Sequence, residues 1–176
     1  MTPPALVDLR PARTARVRRA RAADTAGIAT LVASWAAEGL LLPRGTTEVA
    51  AALDDYVVAV DAAGRVLACA AVREYAPSLA EVVSVAVERS ARGGGLGARV
   101  VAAAERLARV RGHREVFAHT RNPEFFTAIG YECVDRGLYP EKRGRAQSTC
   151  VRRRLGLAAD RLAQLPVWTD EVRQAA

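Results

Sequence analysis

Apolar and polar positions along this chain predict strands and helices in alternation. Val17 to Ala20 reads as a short opening strand, and Asp24 as the N-cap of a helix whose Ile28, Leu31, Val32 and Trp35 recur at helical spacing. Glu38-Gly39 ends that helix, and Leu40 to Arg44 is an apolar loop with one cation. Thr46 or Thr47 caps a second helix that runs to about Leu53. Strands follow at Tyr56–Val60, at Arg65–Arg73 after a turn over Ala62–Gly64, and at Ala80–Val87 once Pro77 has broken the chain. The last of these is rich in β-branched Val82, Val83, Val85 and Val87.

A glycine cluster then leads into a helix from about Leu96 to Arg111, with Val100, Val101, Ala104, Leu107 and Ala108 as its apolar face. Arg114–His119 reads as a strand, Asn122-Pro123 opens a short helix through Ile129, and Gly130 closes it. Strands at Tyr131–Val134 and Thr149–Leu155 flank a turn rich in Arg, Lys and Gly. The order predicts an α+β fold, a mostly antiparallel mixed sheet flanked by helices. Residues 1–15 are expected to form a flexible N-terminal tail, 16–156 the domain, and 157–176 a C-terminal helical tail containing Leu162 and Leu165.

Composition narrows the function. The chain has 176 residues, 51% hydrophobic and 26% charged, enough for one domain with a substantial core. No apolar run is long enough to cross a bilayer, and no signal-peptide pattern opens the chain, so a cytoplasmic protein without a membrane partner is expected. Cys69, Cys133 and Cys150 are odd in number and widely separated, which fits three reduced, buried thiols better than a disulfide framework or a metal site. The net charge of +7 calls for an anionic partner. Only 5% of residues are aromatic and the basic ones are dispersed, so a nucleic-acid stacking surface is disfavoured against a small anionic molecule.

The most informative segment is Arg92-Gly93-Gly94-Gly95-Leu96-Gly97, placed between a strand and a long helix. Glycines let successive N–H groups converge, and the helix start adds unsatisfied donors and a positive dipole end. Together they suit a pyrophosphate. The G-x-G-x-x-G dinucleotide pattern and the Lys-Ser/Thr of a phosphate loop are both missing.

Arg92-x-x-Gly95-x-Gly97 resembles the coenzyme A signature of the GNAT acetyltransferase superfamily. Val17 to Leu31 is similar to the family's opening strand and helix, and Asn122 to Tyr131 to its closing helix and strand. The resemblance implies acetyl-CoA as co-substrate and no metal. It implies that the amides of Arg92, Gly93, Gly94, Gly95, Leu96, Gly97 and Ala98 hold the pyrophosphate, with Phe125 beside the thiol end. Backbone groups of Ser84, Val85 and Val87 would pair with the pantetheine arm as though it were an added strand.

The reaction is attack by a neutral amine on a thioester. An α-amine has a pKa of roughly 8, so a base helps at neutral pH. Glu81, at the mouth of the expected site, is the candidate base through a water. The leaving thiolate, with a pKa of about 8.5, needs less help from an acid than an alkoxide does. Phe125-Phe126 stand where many members carry an acidic Tyr, which leaves Thr120 as the candidate donor to sulfur. Tyr131, Tyr139 and His119 are secondary candidates whose ordinary role is structural.

Glu38 to Arg44, Ala80-Glu81, and Leu138 to Glu141 followed by cations and Ser148 further resemble the acetyltransferase domain of N-acetylglutamate synthases, in a short stand-alone form. That implies L-glutamate as acceptor, with Arg44, Arg143 or Arg145, and Ser148 holding its carboxylates and Lys142 as a further candidate. Other amines (a polyamine, an antibiotic, a protein N-terminus) and a non-catalytic coenzyme A-binding module are the competing readings. A homodimer is compatible with all of them.

Overall fold

The computed structural model describes residues 14–139 and 148–156. Seven strands form one sheet in the order β1-β2-β3-β4-β5-β7-β6. The strands are β1 (Arg16–Arg19), β2 (Tyr56–Val60), β3 (Val66–Ala76), β4 (Leu79–Val87), β5 (Glu115–Thr120), β6 (Glu132–Val134) and β7 (Thr149–Arg154). The helices are α1 (Thr25–Ala36), α2 (Thr46–Ala51), α3 (Leu96–Val110) and α4 (Pro123–Ala128). Every neighbouring pair is antiparallel except β4–β5, which is parallel. The α+β fold and mostly antiparallel sheet expected from the pattern are what the chain forms. The tails beyond these limits and the turn at 140–147 lie outside the described residues.

Alternation along the strands gives the sheet two faces. On one, Val100, Val101, Ala104, Leu107 and Ala108 of α3 pack onto Val57, Leu67, Val82 and Val116. On the other, Ile28, Leu31 and Val32 of α1 and Val49 of α2 cover Val58, Cys69, Ala71 and Ala86. Phe117, Tyr139 and Cys150 continue that second face towards β7, with Tyr75 and Leu79 packed against them.

Several local readings are corrected. Asp24 occupies the N-cap position of α1, as expected, but its side chain makes no bond to the helix amides. Its carboxylate reaches back to the Arg21 N–H at 2.7 Å and takes both Nη atoms of Arg18, at 2.6 and 3.0 Å. Burial would raise its pKa, but those donors and the charges behind them hold it below the usual carboxylate value. Neither Thr46 nor Thr47 is the cap of α2. Gly45 is, with its N–H donating to Glu48 at 2.9 Å. Pro77 separates the two strands as expected, but β3 runs on to Ala76 rather than ending at Arg73, so that Pro77 sits in a two-residue turn. Cys69 and Cys150 are buried, but Cys133 is exposed on the edge strand β6.

Behind the sheet Glu105 of α3 is 3% exposed and accepts from Arg153 Nη1 at 3.2 Å, while the same Nη1 donates to the Ile129 carbonyl at 2.6 Å. This joins α3, β7 and the end of α4 through one guanidinium. Arg153→Met would leave the buried Glu105 carboxylate with Arg109, 3.5 Å away, as its remaining ion-pair partner among the described residues. Breaking a buried pair costs about 3–5 kcal/mol, and solvent around the half-exposed Arg153 lowers that to about 2 kcal/mol. Urea unfolding should show the loss as a lower midpoint at unchanged slope.

Candidate active site

The parallel pairing of β4 with β5 spans only Leu79–Glu81 against Glu115–Phe117. Past Glu81 the two strands part. β4 keeps β3 along one edge as far as Val87, while its other edge has no strand partner among the described residues. Unpaired N–H and C=O groups along such an edge accept an extended ligand as an extra strand.

A bulge shapes that edge. Between Val83 and Ala86 the β3 register slips by one residue, and Ser84 takes φ +54°, a left-handed value uncommon for a side chain other than Gly, Asn or Asp. Three contacts hold this strained residue. The Ser84 hydroxyl accepts from Tyr56 Oη at 3.4 Å, the Cys69 thiol donates to the Ser84 carbonyl at 3.4 Å, and β3 pairs on both sides. Burial pushes Cys69 up to about 12, so it stays a thiol and a donor.

β4 leads through Arg89–Ala91 into the glycine loop and α3. Gly95 stands at the N-cap of α3 with φ +76°, which turns the loop into the helix. The Arg92 amide, expected in the cradle, is instead taken up by the Arg89 carbonyl at 3.3 Å, whereas the amides of Gly93 to Ala98 have no hydrogen-bond partner among the described residues. Gly97 is needed for a different reason. A Cβ there would lie 3.1 Å from Phe125 Cε2 and 3.6 Å from Val87 Cγ2, so the helix start, α4 and the end of β4 come together over its missing side chain. The loop is therefore open, donor-rich and closely walled, as a pyrophosphate site requires.

By its spacing Trp35 reads as a helix-core residue, and in the structure it also holds the end of β4. Its indole N–H donates to the Val87 carbonyl at 3.0 Å, and the guanidinium carbons of Arg89 and Arg92 lie 4.2 and 5.5 Å from its ring centroid. Arg89 is also paired with Glu38. The C-terminal turn of α1 thus fixes the end of β4 and both cations entering the loop. A Trp in the last turn of a helix that closes on Glu-Gly was the available sequence signal.

Glu81 is 5% exposed, on the last residue pair before the strands diverge. It faces the Cys150 thiol, which burial and then the Glu81 charge push up to about 11. Thr120 ends β5; its Oγ1 accepts the Asn122 N–H at 2.9 Å, which leaves its own O–H to donate. Phe125 and Phe126 meet edge to face at 5.0 Å. His119 packs its ring edge on Phe117. Tyr139 donates to Glu115 at 2.9 Å, and burial together with that carboxylate raises its pKa. Tyr131 is buried on the α3 face beside Glu105, its pKa raised by burial first.

Arg44 is half-buried, with Nη1 3.2 Å from Glu48 Oε1. Tyr56 ties it to the site: burial raises the phenol's pKa, while the Ser84 hydrogen bond and the positive charges of Arg44 and Arg73 oppose the rise. Arg73 was not singled out from the sequence, because one cation in a strand ordinarily reads as a solvated position. Arg121 Nη1 donates to the Gly39 carbonyl at 3.2 Å and so links the β5–α4 loop to the α1–α2 loop. Ser148 is buried at the entry to β7. Arg143, Arg145 and Lys142 lie outside the described residues. Among the described residues no group of three or more His, Cys, Asp or Glu could hold a metal, and no helix is long and apolar enough to cross a membrane.

A mixed sheet that opens between one parallel strand pair, beside an amide-rich helix start, defines an acyltransferase cleft. Residues 29–131 match the acetyltransferase (GNAT) family, and the chain belongs to it. It is 34% identical to an uncharacterized N-acetyltransferase of Chlorobaculum tepidum, over 88% of this chain and 97% of that one. It is 32% identical to an amino-acid acetyltransferase of Mycobacterium tuberculosis, over 68% of this chain and 69% of that protein. In three dimensions it is similar to N-acetylglutamate synthase of Neisseria gonorrhoeae solved with coenzyme A and N-acetyl-glutamate. That match has a TM-score of 0.72 and 25% identity, covering 80% of this chain and 35% of the longer one.

Proposed function

We propose that this acetyltransferase moves the acetyl group of acetyl-CoA to the α-amine of L-glutamate by direct transfer in a ternary complex. The observation that carries the reading is the β4 edge, open from Val82 onward and leading into the unpartnered amides of Gly93 to Ala98, with Glu81 buried where the strands part. These features fit acetyl-CoA, which supplies an activated acyl thioester when bound. The Gly93–Ala98 amides would take the pyrophosphate, and backbone groups of Ser84, Val85 and Val87 would lie along the extended arm, with the Ser84 carbonyl shared with the Cys69 thiol. The Val87 carbonyl shares its lone pairs with Trp35.

The remaining steps belong to the side chains. As nitrogen bonds to the acyl carbon and the carbon–sulfur bond breaks, the amine proton passes to the Glu81 carboxylate through a water. Thr120 donates its O–H to the departing thiolate. Arg44 offers a guanidinium fork to a carboxylate of the acceptor, and Ser148, Arg143 and Arg145 are the other residues that this reading assigns to the acceptor's carboxylates. The amino-acid acetyltransferase relative and the N-acetylglutamate-bound neighbour support an acidic amino acid over a polyamine.

Thiol release from acetyl-CoA, followed with L-glutamate, L-aspartate, L-glutamine and spermidine, tests this. L-Glutamate should give the highest kcat/KM. A higher value for aspartate or spermidine removes the substrate assignment, and acetyl-CoA binding without thiol release for any amine identifies a non-catalytic module. Arg44→Ala should raise the glutamate KM about 10- to 100-fold, the worth of a charge-assisted hydrogen bond, with the acetyl-CoA KM unchanged. An unchanged glutamate KM removes Arg44 from the carboxylate site.

A further inference from the structure

We infer that Arg73 of β3 is a specificity-determining residue that holds the α-carboxylate of the acceptor beside Glu81; this rests on the proposed amino-acid acetyltransferase reading. Arg73 and Glu81 are direct cross-strand partners on β3 and β4. Directly opposed side chains share one face and have Cβ atoms about 4.5–5.5 Å apart. The face is the one that also carries Phe117, the register partner of Glu81 on β5. It lies where the cluster under α1 and α2 gives way to the one around Phe117 and Tyr139.

Arg73 breaks the pattern of its strand. From Val66 to Val72 every residue of β3 is buried, and Arg73 is the first exposed one. Several arginines at the surface pair with acids: Arg44 with Glu48, Arg65 with Asp61, Arg111 with Asp55 and Arg152 with Glu132. The Arg73 guanidinium has no ion pair or hydrogen bond among the described residues, although the residue stands opposite a carboxylate. A guanidinium that close to Glu81 and not bonded to it leaves its donors for a third group set between them.

The chemistry of the acceptor says which group that is. In an α-amino acid the amine and the α-carboxylate hang on one carbon, so a base acting on the nitrogen brings the α-carboxylate within a few ångströms of itself. A bidentate guanidinium on the neighbouring strand fixes that carboxylate and turns the nitrogen lone pair towards the β4–β5 opening. Arg44 reaches the same region from the α1–α2 loop, and both charges act on Tyr56. Arg73 thereby sets the class of acceptor as α-amino acids, and Arg44 with the β7 entry grades their side chains.

The test is a substrate cycle on Arg73→Ala and Arg73→Lys, with glutamate, glutamine and the α-amide of glutamate as acceptors. Arg73→Ala should lower kcat/KM at least 10-fold for glutamate and glutamine, which keep the α-carboxylate. For the α-amide, already a poor substrate of the parent protein, the change should be under threefold. Arg73→Lys should recover part of the loss, and the acetyl-CoA KM and melting temperature should not move in either variant. Equal losses on all three acceptors, or none on glutamate in a protein that acetylates it, overturn the assignment to Arg73. A parent protein that acetylates neither glutamate nor glutamine but does acetylate spermidine overturns the acceptor reading itself.

Discussion

Glu81→Gln is expected to lower kcat/KM about 10²- to 10⁴-fold at pH 7, the usual contribution of a positioned general base. Glutamine keeps the shape of a side chain that is 5% exposed, so the loss reports on proton transfer rather than on a cavity. The variant should also change its response to pH. Below the amine's own pKa of roughly 8 most of the acceptor carries an extra proton, and removing it is what Glu81 does. Above that pH the amine is already neutral, so the gap between parent and variant should narrow as pH rises. The acetyl-CoA dissociation constant should stay the same. Parent-like turnover at pH 7, or a gap that does not change with pH, would remove Glu81 from the proton path and move the base to another group at the strand opening.

Substitutions in the glycine loop have the second-largest expected effect, and two of them act through different physics. Gly97→Leu places carbon where Phe125 already lies within 3.1 Å of a bare Cβ, so either the ring or the start of α3 must move. Gly95→Val meets nothing within 4 Å but forces a β-branched residue to φ +76°. Each should weaken acetyl-CoA binding at least 10-fold by titration calorimetry, about 1.4 kcal/mol. Phe125→Ala should recover part of the Gly97→Leu loss by making room, and none of the Gly95→Val loss, which no space can relieve. If neither substitution alters acetyl-CoA binding, the amides of Gly93 to Ala98 are not the pyrophosphate cradle.

Much of the architecture was legible along the chain because it is written in short-range patterns. The valine run of β4, the five apolar positions of α3 and the Asn122-Pro123 helix start all lie where periodicity and cap chemistry put them, to within a residue or two. What misled was competition for the same cap. Asp24 is a good N-cap by type, yet Arg18 across the turn offers its carboxylate two bonds in which both partners are charged, which outweigh one bond from an uncharged helix amide. At α2 the side chain of Glu48 satisfies the Gly45 amide from inside the helix, so neither threonine is called on. Cys133 looked buried in an apolar stretch and is exposed because β6 closes the sheet as an edge strand, a position that local sequence does not reveal.

The candidate site divides along the same line. By itself the sequence determined the elements and the loop, since the hydrophobic period, the left-handed turn at Gly95 and the donor-rich start of α3 are all properties of neighbouring residues. Only the tertiary structure decided that β4 and β5 pair for three residues and then part, that Arg73 stands across from Glu81, and that Trp35 holds the end of β4. The first and last join residues dozens of positions apart, and the second depends on the register of the β3–β4 hairpin; all are set by how the two faces of the sheet pack against their helices. No local propensity encodes them, because their free energy exists only after the chain has closed around its core.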